Sequence, residues 1–140
     1  MINTKPNNNI APQVIENITR WHEDRNLIDG TTDWNQTKKL LEEFIEVVAA
    51  QMPEKEAVSI AAKVQDMVSD LYDSGRIKPV KAEHAQAALK DGLGDMGVVA
   101  INMAERNGWG YAHCLNTSYQ EIKDRRGKMI DGMYVKEEDL

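Results

Sequence analysis

Two stretches of this chain carry oxygen donors at spacings that suit a cation. In "KKLLEEFIEV", Glu42, Glu43 and Glu46 fall on adjacent turns. In "DGLGDMGVVAIN", Asp91, Asp95 and Asn102 lie within about 40° of one another on a helical wheel. Donor sets made only of oxygen suit hard ions such as Mg²⁺ or Mn²⁺. An ion held in this way can neutralise anionic oxygens, and a spare carboxylate such as Glu42 can take a proton from water. These are parts that metal-assisted hydrolysis can use.

Each stripe also has a plainer reading. Glu42, Glu43 and Glu46 sit opposite an apolar arc of Leu40, Leu41, Phe44, Ile45, Val47 and Val48, as on the solvated face of any amphipathic helix. Against that, clustered like charges repel by a few tenths of a kcal/mol per neighbouring pair. The second stripe lies on a cylinder that is otherwise apolar, with Leu93, Met96, Val99, Ala100, Ile101, Met103 and Ala104 around it. A helix apolar on nearly all sides is expected to be buried, and a buried carboxylate needs a partner. That partner is either a Lys or Arg, or a wet groove, or a metal shared with the glutamates across a cleft.

The elements that must position these residues read as helices. Val14, Ile18, Trp21 and Arg25 share one face of a first helix that begins beyond Gln13. "IDGTTDWN" supplies a turn and capping residues. A strong helix follows and stops before Pro53, and Pro53 suits the first turn of the next one. "SGRIKPVKA" reads as a loop. A long helix runs from about Glu83 to Arg106 and ends at "NGWG". A shorter helix is stopped near Gly127, and the tail "MIDGMYVKEEDL" contains an Asp-Gly turn signal or stays irregular. Gly92, Gly94 and Gly97 each cost roughly 1 kcal/mol of helix propensity, and Gly97, Ala100 and Ala104 make a small-residue side for close helix contact. No alternating strand pattern is visible. The expected fold is all-α, a bundle of four to five helices. Residues 1–12 are expected to form a flexible arm and residues 13–140 a single helical domain.

Composition narrows the function classes. A net charge of −6 argues against a nucleic-acid polymer as partner, which needs a basic face. The lone Cys114 rules out an internal disulfide and suits a reducing, cytoplasmic setting. The Asn-rich start lacks a secretory pattern, and no run is long enough for a membrane span. His22, His84 and the His113–Cys114 pair lack zinc spacing. "GLGDMG" lacks the Lys-Ser/Thr of a phosphate-binding glycine loop.

In this order and combination, the motifs resemble the MazG-like all-α nucleoside triphosphate pyrophosphohydrolases. The resemblance rests on the EExxE helix "KKLLEEFIEV" and the "LGDMGVVAIN" helix. It extends to "WHEDRNLIDG" before them and "SYQEIKDRRGKMIDGMYVK" after them. It implies that Glu43 and Glu46 are Mg²⁺ ligands, that Glu42 is a ligand or the base, and that Asp95 is the matching ligand of the second helix. It also implies that Asn102 faces the nucleotide, and that Lys39, Lys123, Arg126 and Lys128 are candidates for phosphate contact. Trp21, His22 and Trp34 are candidates for stacking on the base, with core packing as their alternative. The reaction implied is attack of water at the α-phosphorus of a ribo- or deoxyribonucleoside triphosphate, releasing pyrophosphate and a monophosphate. A homodimer or homotetramer is implied as well.

Two features depart from the family pattern. Gly92 stands where the second motif carries an acid, leaving Asp91 as the nearest substitute. The Pro53–Gly75 segment also lengthens the separation between the motifs. Two other readings of the same residues are a non-catalytic helical interaction or regulatory protein, and an enzyme of the phosphoribosyl-ATP pyrophosphohydrolase type.

Overall fold

The computed structural model describes residues 10–140, with side chains described from Pro12 on. The described residues form five α-helices: α1 (Ile10–Asp24), α2 (Asp33–Ala50), α3 (Ala57–Asp73), α4 (Ala85–Arg106) and α5 (Tyr111–Ile122). Two short strands follow, β1 (Gly127–Ile130) and β2 (Met133–Lys136). The chain forms two compact units. One comprises the residues up to Thr31 together with Leu89–Leu140, and the other comprises Thr32–Ala88.

In the first unit α1 packs on α5. The face expected of α1 is the one it buries: Val14 and Trp21 are buried and Ile18 is half-buried. Leu27, just past the helix, is buried with them. The helix starts at Ile10, earlier than the boundary at Gln13. Pro12 therefore sits in the first turn, where its missing N–H costs nothing. The rest of the expected arm, residues 1–9, lies outside the described residues. Asn26, at φ 56°, closes α1, with Leu27 N donating to His22 O at 2.8 Å. The same closure ends α4, where Gly108 stands at φ 78° and Trp109 N donates to Ala104 O at 2.9 Å.

The expectation of a helical fold holds for most of the described residues, and the tail adds a small sheet to it. β1 and β2 pair antiparallel, with Gly127 opposite Lys136 and Ile130 opposite Met133. Asp131 at φ 51° and Gly132 at φ 79° join them, the positive-φ pair that a tight two-residue hairpin demands. Four-residue strands are too short to show a clear alternation, so the Asp-Gly dipeptide was their one local sign. The fold is mostly helical with a small antiparallel sheet. Helix α5 also ends at Ile122, short of Gly127. Residues 123–126 instead form a linker, in which side chains donate to the carbonyls of Lys123 and Arg125 and the Glu137 N–H donates to that of Arg126.

In the second unit α2 packs on α3. Thr32 caps α2, its hydroxyl accepting from Asn35 N at 3.1 Å. Pro53 does not open α3 as expected. It lies in the turn after α2, and Glu54 at φ 65° breaks the path between the two helices. Gly75 at φ 73° closes α3.

Candidate functional site

The glutamates stand on the exposed side of α2, in the second unit. Lys39, one turn earlier, places its Nζ 3.3 Å from a carboxylate oxygen of Glu42 and 3.3 Å from one of Glu43. The spacings of three and four residues bring all three side chains to one place on the helix surface. Burial by itself lowers the Lys39 pKa. The hydrogen bonds and charges of Glu42 and Glu43 outweigh it and hold the ammonium above its ordinary value of 10.5. Two neighbouring carboxylates therefore converge on a single cation. Glu46, a turn further on, is exposed.

The second stripe lies on the part of α4 that belongs to the first unit. Asp91, Asp95 and Asn102 are all exposed. The expectation of a buried α4 is corrected: among the described residues, Ala104 alone of this helix is buried. Leu93 is 54% exposed, Val98 65% and Val99 58%. Within one chain there is thus no cost of burial for Asp91 and Asp95 to offset. Nor does either pair with a Lys or Arg among the described residues. Of the alternatives for this stripe, the ion-paired one is not found, and the acids face solvent. Gly92, Gly94 and Gly97 have open space where a Cβ would stand, so no backbone is pressed against them. Among the described residues no three His, Cys, Asp or Glu side chains gather at a place that could hold a metal ion.

The third group is the basic segment after α5, in the first unit. Lys123, Arg126 and Lys128 are exposed and form no salt bridge among the described residues. Arg126 and Lys128 border an open cleft of about 590 Å³, together with Asp24, Arg25, Tyr134 and Glu137.

Trp21 is bound into this region. Its Nε1 donates to Ile122 O at 2.9 Å, and its ring meets Tyr134 edge-on at 5.6 Å between centroids. The Arg25 guanidinium lies over the Trp21 ring, 4.3 Å from its centroid. Trp21 thus takes the packing alternative. Trp34, at the start of α2, is 75% exposed. His22 Nδ1 lies 2.8 Å from Ile18 O.

Arg25 and Tyr134 were not among the expected site residues. One local sign existed for Arg25, its position four residues after Trp21, where a guanidinium reaches the ring. Tyr134 had none, because its partners are set by the hairpin. Comparisons with protein-family models, with curated proteins and with solved structures returned no match for this chain.

Proposed function

We propose that this protein is a Mg²⁺-dependent nucleoside triphosphate pyrophosphohydrolase, as its resemblance to the MazG-like family implies. The observation that carries the reading is the ordered pair of oxygen-donor stripes, Glu42/Glu43/Glu46 on α2 and Asp91/Asp95/Asn102 on α4. The exposed cations after α5 support it, since a triphosphate needs counter-charge beyond the metal.

The donor chemistry fits a hard divalent cation, because every candidate ligand is a carboxylate. Glu42 and Glu43 converge on the Lys39 ammonium, which brings two carboxylates to one place on the surface of α2. In this reading Glu43 and Glu46 are ligands on α2 and Asp95 is the ligand on α4, with Asp91 supplementing it where Gly92 leaves no acid. Mn²⁺ is an acceptable replacement for Mg²⁺. The bound ion supplies charge neutralisation at the phosphate oxygens.

The remaining roles belong to the chain's own groups. Glu42 accepts the proton of the water that attacks the α-phosphorus. Arg126 and Lys123 hold the phosphate chain, and Lys39 turns from its carboxylates to the phosphates. Asn102 faces the nucleoside, and Trp34 supplies an exposed ring for the base. The active species in this reading is a homodimer or homotetramer. It is supported by the exposed apolar residues of α2, α3 and α4, among them Phe44, Val58, Leu71 and Val99.

The test is pyrophosphate release from a panel of ribo- and deoxyribonucleoside triphosphates with Mg²⁺ or Mn²⁺, with phosphoribosyl-ATP included. Release from a nucleoside triphosphate supports the reading. Release from phosphoribosyl-ATP alone replaces it with the other enzyme class. No release from any substrate by folded protein overturns it in favour of a helical interaction protein.

A further inference from the structure

A helix leaves its last carbonyls without internal partners. At the end of α5 Ile122 O accepts from Arg125 N at 2.8 Å, and it and several carbonyls just past the helix find further partners in this unit. Trp21 Nε1 donates to Ile122 O at 2.9 Å. Arg25 Nη2 donates to Lys123 O at 3.2 Å and to Arg125 O at 3.0 Å. Tyr134 Oη donates to the same Arg125 O at 3.2 Å. Glu137 N donates to Arg126 O at 2.8 Å. The backbone on both sides of the Arg126 side chain is therefore tied down.

Arg25 is the centre of this arrangement. Its Nη1 donates to Trp21 O at 3.2 Å, and its plane lies on the Trp21 ring. Both terminal nitrogens are thus engaged with backbone carbonyls, and the face is covered. The guanidinium is committed to holding the chain rather than to meeting a solute. What it holds is the stretch that carries two exposed cations, Lys123 and Arg126, which make no salt bridge among the described residues. Holding a backbone this firmly beside exposed cations lowers the entropy lost when those cations close on an anion.

We propose that Arg25 is a positioning residue for the phosphate chain of the substrate, acting through the 123–126 backbone to aim Arg126. The proposal rests on the pyrophosphohydrolase reading for the identity of the anion. Lysine cannot replace Arg25 in this role. A single ammonium keeps the charge but loses the planar fork that spans two carbonyls while lying on an indole.

The experiment compares the full-length protein with Arg25→Lys, Arg126→Ala, their combination and Tyr134→Phe. The readouts are kcat and KM for the best nucleotide, and calorimetric binding of inorganic triphosphate in Mg²⁺ buffer. The expected result for Arg25→Lys is a KM and a triphosphate Kd raised about tenfold, with kcat within about twofold of the parent. Arg126→Ala is expected to match it, and the double variant to add less than about twofold, because both changes remove one interaction. Tyr134→Phe should move KM the same way by a smaller factor.

Unchanged KM and Kd in Arg25→Lys, with loss confined to kcat or Tm, overturn the positioning role and leave a structural one. If the parent binds triphosphate but hydrolyses no nucleotide, the pyrophosphohydrolase reading falls and Arg25 is judged on the triphosphate Kd alone. If the parent neither binds nor hydrolyses, both readings fall.

Discussion

The indole Nε1 of Trp21 donates to the main-chain oxygen of Ile122 at 2.9 Å, across 101 positions of sequence. One bond thus ties the end of α1 to the end of α5 in a half-buried place, at a carbonyl that also accepts from Arg125 N at 2.8 Å. Trp21→Phe keeps most of the ring but removes this bond, leaving Ile122 O with its Arg125 N donor at 2.8 Å, and is expected to cost about 1 kcal/mol. Trp21→Ala also removes the surface on which Arg25 and Tyr134 rest, and is expected to cost about 3–5 kcal/mol. Urea unfolding followed by circular dichroism measures both.

Gly127 opens β1 with no room for a side chain. A Cβ there would collide with the carbonyl oxygen of Val135 and stand 2.9 Å from Cζ of Tyr134. Backbone cannot give way as a flexible side chain can. Gly127→Ala is therefore expected to destabilise the hairpin by about 2 kcal/mol or more. Loss of the Tyr134 contacts should appear as a changed near-ultraviolet spectrum.

The carboxylates rank differently under the proposed function. Glu43→Gln and Asp95→Asn should each lower turnover at least about 100-fold, because each removes a charge from the metal-binding set. Asp91→Asn, at a position displaced from the family's acid, should cost about tenfold. All three positions are exposed, so melting temperatures should stay within a few degrees of the parent. Full activity in both Glu43→Gln and Asp95→Asn would place the chemistry elsewhere.

Lys39 pairs with Glu43, a proposed metal ligand, and with Glu42, the proposed base. Lys39→Met should therefore strengthen apparent Mg²⁺ binding, by about threefold given an exposed pair. Titration of activity against Mg²⁺ reads this. Its pH dependence has a defined sign. The folded pKa of Lys39 is raised, so the ion pair contributes fully below about 10.5, its unfolded value, and is lost as pH rises through the folded value. The stability gap between the parent and Lys39→Met should be flat from neutral pH to pH 9 and close above that window. Salt should shrink it throughout.

The proposed homodimer or homotetramer can be tested at the exposed apolar residues of α4. Light scattering should give a mass that is two or four times 15.8 kDa. Val99→Asp, which sets a charge among Met96, Val98 and Met103, should shift that mass toward the single chain. An unshifted monomeric mass for the parent would remove the oligomer from the reading.

The sequence by itself determined the helices, because a helix is decided by neighbours three and four residues away. Val14, Ile18 and Trp21 announce the inner face of α1 and the capping residues of "IDGTTDWN" announce the start of α2, while the pairing of Lys39 with Glu42 and Glu43 was not among the expectations. The placement of Glu42, Glu43 and Glu46 on one helix and of Asp91, Asp95 and Asn102 on another was legible for the same reason. Tertiary structure decided what depends on distant partners. The strands at Gly127–Ile130 and Met133–Lys136 exist through pairing with each other, and only the Asp131-Gly132 turn hinted at them. Exposure along α4 was misread because apolar composition says what a helix can bury, while the presence of a covering element is a property of the fold. The hold of Trp21, Arg25 and Tyr134 on residues 122–125 was out of reach for the same reason. It joins side chains to carbonyls about a hundred positions away, or across a hairpin, and carbonyls carry no sequence signature.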